Sequence, residues 1–153
     1  MTSANLWTHC RDGEPDDVMT AQWAWEPEAT CVREARRRAE ETLCAWGFAG
    51  EPLDDVILIL SELVSNALTH GKGQITVTLA FAPYCGTLTG AVTDAGPDWP
   101  QEQPQTPNED AFAEHGRGLR LVESLATRWG VTRESDGTHK SVWFCRHSSS
   151  RRT

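Results

Sequence analysis

Apolar residues at 53, 56, 57, 60, 63, 64, 67 and 68 fall at the spacing of one buried helix face. No other stretch of the chain constrains the fold as strongly. The pattern runs from Leu53 to His70, and Gly71 and Gly73 follow it as stop signals. An amphipathic helix of that length must lay its stripe on a sheet or on other helices. At about 100° per residue the stripe centres near Leu53, Leu60 and Val64. Glu62 and Asn66 fall almost opposite, one turn apart, and His70 continues their line. The spacing therefore predicts a carboxylate and a carboxamide stacked on the face turned away from the core. Alone, such a face is an ordinary solvated surface.

The flanking segments fill in a single domain. Residues 1–21 are polar with little periodicity, either a loosely ordered arm or an extra edge strand. Gln22–Trp25 reads as a short strand closed by Glu26-Pro27. Residues 28–46 read as a helix with Val32, Ala35, Ala39, Leu43 and Trp46 inward, and Gly47 is its stop. Arg33, Arg36, Arg37 and Arg38 cluster on it, among glutamates that can pair with them. Ile75, Val77, Leu79 and Phe81 alternate with polar or small residues, as do Leu88, Gly90 and Val92, with a hairpin-like link at Pro83–Gly86. A loop of Pro, Gln and acidic residues spans about 97–115, and loops of that length are usually functional or disordered. A third helix carries Leu119, Val122, Leu125 and Ala126 inward. Strands at about 129–134 and 140–145 close the domain, and 146–153 is a loose tail. The order β-α-α-β-β-α-β-β predicts an α+β fold over residues 22–146. It is a two-layer sandwich with three helices on one face of an antiparallel or mixed sheet.

Bulk properties remove several function classes. The net charge of −8 argues against nucleic acid as the main partner, because phosphate backbones recruit basic surfaces. No run reaches the roughly 18 apolar residues of a membrane helix, and no signal pattern opens the chain. A cytoplasmic protein is expected. The five cysteines form no C-x-x-C pair, so reduced, packing cysteines are expected.

Four points then line up in order: Glu62 with Asn66, Asp94-x-Gly96, Gly116-Arg117-Gly118, and Gly137-x-x-Lys140-Ser141. An amide oxygen such as that of Asn66 can complete the octahedral shell of Mg²⁺. A carboxylate one turn away would face the same metal-triphosphate and can act as a general base. Asp94, at a strand end, can accept a hydrogen bond from an adenine amino group, and Gly96 lets a base approach the backbone. The Gly116–Gly118 segment opens a helix, and free N–H groups there bind phosphate.

In this order the motifs resemble the GHKL superfamily of ATPases. The similarity is strongest to the single-domain anti-sigma factor serine/threonine kinases. It covers roughly residues 22 to 145, and Glu-Leu-Val-Ser-Asn-Ala followed by His-Gly is its specific part. The resemblance implies a Bergerat-type ATP-binding fold with ATP and Mg²⁺ as cofactors. It implies that Asn66 holds the metal and that Glu62 is the catalytic base. Asp94, Gly96, Gly116, Arg117, Gly118 and Leu119 would line the nucleotide, and Ser141 would support the adenine. The implied partners are a sigma factor and a small anti-anti-sigma-like protein, with homodimers common in the family. One position departs from the pattern. Where a further glycine is usual, Asp98 follows Pro97, and an acidic residue there would not contact phosphate favourably. The alternative is a non-catalytic regulatory module of the same fold. A histidine-kinase fragment is disfavoured, because no dimerisation helix pair with a phosphoacceptor histidine is present.

Overall fold

A computed structural model describes residues 18–96, 119–134 and 137–147. Strand β1 spans Met19–Trp25 and helix α1 Cys31–Ala45. Helix α2 spans Gly50–His70, β2 Ile75–Ala82 and β3 Thr87–Asp94. Residues 119–125 are helical (α3), β4 spans Arg128–Arg133 and β5 Lys140–His147. The five strands form one antiparallel sheet in the order β1-β2-β3-β5-β4. The α+β sandwich expected from the element order is the observed fold.

Each element follows from a period in the sequence. In α1, Cys31, Ala35, Ala39 and Leu43 recur every fourth residue, and all four are buried. The helix stops where Gly47 turns to φ +98°. Phe48 N–H then donates to Leu43 O at 2.9 Å and Gly47 N–H to Cys44 O at 3.0 Å. This is a Schellman cap, closed by the buried Phe48 ring. Arg37 pairs with Glu34 and Glu41 on the exposed side, which neutralises part of the arginine cluster.

Helix α2 buries Leu53, Val56, Ile59, Leu60, Leu63, Val64 and Ala67, while Ile57 and Leu68 are half-buried. Pro52 sits in its first turn, where the missing N–H costs nothing. Asn66 is not on a solvated face opposite the core. It is half-buried at the flank of the stripe, because α2 packs against α1 and the sheet together. Among the described residues, no helix is long and apolar enough to cross a membrane.

Strand register sorts the side chains into two faces. Ile75, Val77, Leu79, Leu88, Val92, Val142 and Phe144 join the core with α1, α2 and Val122 of α3. Gly90 lies opposite Phe144, and a Cβ there would stand 2.5 Å from the ring. The other face carries Thr89, Ala91, Thr93, Ser141, Trp143 and Cys145. Cys31 and Cys145 are free and buried and Cys44 is free and exposed, but Cys85 is disulfide-bonded. The expectation of reduced cysteines fails at Cys85. The arm up to residue 17, the loop at 97–115 with Asp98, Gly116, Arg117 and Gly118, and the tail from 148 lie outside the described residues.

Candidate functional site

The C-terminal half of α2 crosses over the ends of β3 and β5, and a pocket forms where they meet. Leu63, Asn66, Ala67 and His70 line it from the helix. Val92 and Asp94 line it from β3, and Lys140 and Val142 from β5. Two of the expected site residues, Asn66 and Asp94, thus come to one cavity from positions far apart in sequence.

Asp94 is 2% exposed and held on every side. Gly96 N–H donates to its Oδ1 at 2.6 Å, closing a tight turn after β3. Ala95 N–H donates to Lys72 O at 2.9 Å and ties that turn to the segment after α2. Gly71 ends α2 against the carboxylate, and a Cβ on Gly71 would stand 2.5 Å from Asp94 Cγ. A Cβ on Gly96 would in turn stand 2.7 Å from Gly71 Cα. Gly71 has φ −93°, so close approach rather than a left-handed backbone makes glycine necessary there.

Lys140 is the residue that sequence reasoning left without a role. It is 3% exposed, and its Nζ donates to both Asp94 oxygens at 2.9 Å each. Asp94 and Lys140 are register partners across β3 and β5. The pair satisfies the rule that a buried charge needs a hydrogen-bonded counter-charge.

Ser141, the residue expected to support a base, lies on the far face of the sheet. Its hydroxyl donates to Glu134 Oε2 at 2.8 Å and accepts from Thr93 Oγ1 at 2.6 Å. It does not line the pocket. Leu119 is half-buried at the start of the described part of α3.

Asn66 Nδ2 is buried without a hydrogen-bond partner. Buried amides are almost always satisfied, so an orphan of this kind marks either strain or a missing partner. Glu62 sits one turn earlier on α2, half-buried, and makes no hydrogen bond or ion pair among the described residues. The carboxylate and carboxamide are about 6 Å apart along the axis. The arrangement therefore offers an unused amide, a nearby carboxylate and a charged pair in a pocket whose apolar lining is Leu63, Ala67, Val92 and Val142.

Comparison with known proteins decides the family. The histidine kinase-like ATPase domain matches residues 24–145. The chain belongs to that family. The match runs from the end of β1 into β5, so β2, β3 and β4 fall wholly within it. Among solved structures, the chain is similar to the crystal structure of the RsbU and RsbW domains of Rv1364c from Mycobacterium tuberculosis. The TM-score is 0.63 at 18% identity, over 84% of this chain and 32% of that one. That likeness speaks for the fold, and this chain spans about a third of the solved one. No curated protein matches the chain.

Proposed function

We propose that this ATPase-family domain binds Mg-ATP in the pocket between α2, β3 and β5. It then passes the γ-phosphoryl group to a seryl or threonyl hydroxyl on a protein partner. The observation that carries the reading is Asn66, whose Nδ2 is buried and unpartnered beside the Asp94–Lys140 pair. An unsatisfied buried amide costs about 1–3 kcal/mol, which a ligand would relieve. A carboxamide suits this place because it offers a donor to a phosphate oxygen and an acceptor to a metal. When bound, Mg²⁺ would neutralise phosphate charge and orient the triphosphate.

Glu62 would take the proton of the partner's hydroxyl as its oxygen bonds to the γ-phosphorus and the bond to ADP breaks. Glu62 is half-buried and carries no competing bond among the described residues. Gly96 would serve the site by letting the turn after Asp94 close against Gly71, with its N–H on Asp94 Oδ1. Gly116 and Gly118 would offer N–H groups to phosphate, with Arg117 beside them and Leu119 anchoring the helix that follows. Ser141 would act only indirectly, by bracing β3 and β5 through Thr93 and Glu134.

The partner classes that suit this reading are a sigma factor and a small anti-anti-sigma-like protein. Phosphorylation of the latter would switch the complex in the cytoplasm and so regulate transcription. Arg33, Arg36 and Arg38 are exposed on α1, and they suit an acidic partner surface. A second reading is a regulatory module that binds without transferring phosphate. The Lys140 ammonium on Asp94 favours it, because the carboxylate expected to anchor a base is already engaged.

Glu62→Gln separates the two readings. On the first, wild type transfers labelled phosphate to a seryl protein, while Glu62→Gln binds ATP and transfers none. Wild type that binds ATP and labels no partner, with Glu62→Gln indistinguishable from it, supports the second.

A further inference from the structure

The nucleotide reading makes Asp94 the anchor for the base, yet its carboxylate is largely used up within the chain. Lys140 Nζ stands 2.9 Å from Oδ1 and 2.9 Å from Oδ2. Equal distances put the ammonium on the plane that bisects the two oxygens, so it bridges both of them. Oδ1 accepts a second bond from Gly96 N–H at 2.6 Å. Each carboxylate oxygen has two lone pairs, so a single acceptor position, on Oδ2, is left among the described residues.

This lysine cannot swing away as a surface lysine does. It is 3% exposed and rooted in β5 in register with Asp94, and leaving would strand a buried charge. Asp94 cannot retreat either, because Gly71 packs against its Cγ so closely that even a Cβ has no room.

We propose that Lys140 takes the place on Asp94 that a purine's 6-amino group needs, and so sets the base selectivity of this pocket. The proposal rests on the nucleotide reading above. A carboxylate with a free face rewards a 6-amino purine, because the amino group donates to it. A charged ammonium makes a stronger hydrogen bond to a carboxylate than a neutral amine does, so the amine does not displace it. The base is then held by the apolar walls, Leu63, Val92 and Val142, rather than by its 6-substituent. Purines with and without a 6-amino group bind alike. Lys140 acts here as a specificity-determining residue through Asp94.

The test is calorimetric binding of ATP and of purine riboside triphosphate, which lacks only the 6-amino group, with Mg²⁺ present. Both are titrated into the full chain, as wild type and as Lys140→Thr. Wild type is expected to bind the two within about fivefold of each other. Lys140→Thr, whose hydroxyl is too short to span both oxygens, is expected to shift the ratio toward ATP by about tenfold. A purely structural role for Lys140 would weaken both ligands together and leave the ratio unmoved. An unmoved ratio in a folded Lys140→Thr overturns the proposal. Wild type that already prefers ATP by more than about fivefold overturns it as well, and that arm needs no variant. If wild type binds neither triphosphate, the nucleotide reading itself falls and takes the proposal with it.

Discussion

Lys140 and Asp94 face each other across β3 and β5 as a doubly hydrogen-bonded ion pair, both almost fully buried. Removing one partner of such a pair leaves an uncompensated charge inside the protein. Lys140→Met and Asp94→Asn are each expected to cost about 3–5 kcal/mol by urea unfolding at neutral pH. The double variant should recover much of that loss, because no charge is then left alone. Losses that simply add in the double variant would show that the pair is not coupled.

Gly71 and Asp94 define a second relationship. A methyl group on Gly71 would stand 2.5 Å from Asp94 Cγ, and neither the carboxylate nor the helix end has space to yield. Gly71→Ala is expected to destabilise the fold by about 1–3 kcal/mol. It should also weaken nucleotide binding, because the pocket wall that Asp94 and Lys140 form together would shift. A thermal midpoint equal to that of wild type would rule out the close packing described.

The Schellman cap of α1 depends on Gly47 at φ +98°. Nothing lies within 4 Å of a Cβ built there, so an added methyl group meets no clash and only backbone strain. Gly47→Ala should therefore cost about 1–2 kcal/mol without altering ligand binding. Comparing unfolding and titration on one sample checks both halves of this statement.

Burial pushes the Cys145 thiol above its ordinary range, and the Thr89 hydroxyl beside it opposes this more weakly. The folded state then holds that proton to higher pH than the unfolded chain does. Its contribution to stability is complete below the unfolded thiol's value of about 8.5 and is lost as pH rises through the folded value. The urea midpoint should fall more steeply above that range in wild type than in Cys145→Ala. At pH near neutral, iodoacetamide should modify exposed Cys44 well before Cys145 or Cys31.

Much of this was legible in the residues. The switch from a 3.6-residue period in Leu53–His70 to a two-residue period in Ile75–Phe81 located α2 and β2. β1 begins at Met19 rather than Gln22, and α1 at Cys31 rather than residue 28, because strand pairing and hydrogen bonding set the ends, not periodicity.

The helix wheel places Asn66 opposite the core, and it lies at the flank of the stripe instead, for a physical reason. A helix wheel assumes one covered side, whereas α2 is covered by both the sheet and α1. Lys140 has no role in the motif pattern, yet strand parity holds the clue to it. Val142 and Phe144 point to the core, so Lys140 shares their face and Ser141 does not. An inward lysine needs a carboxylate, and Asp94 shares the inward parity of Leu88, Gly90 and Val92. What parity could not supply was the register that sets the two side by side.

The most direct test of the account is calorimetric titration of ATP, with and without Mg²⁺, into wild type and Asn66→Ala. The account predicts binding that requires Mg²⁺ in wild type and is weakened about tenfold or more in a folded Asn66→Ala. Equal affinity in the two proteins would remove Asn66 from the site, and no binding by wild type would contradict the nucleotide reading as a whole.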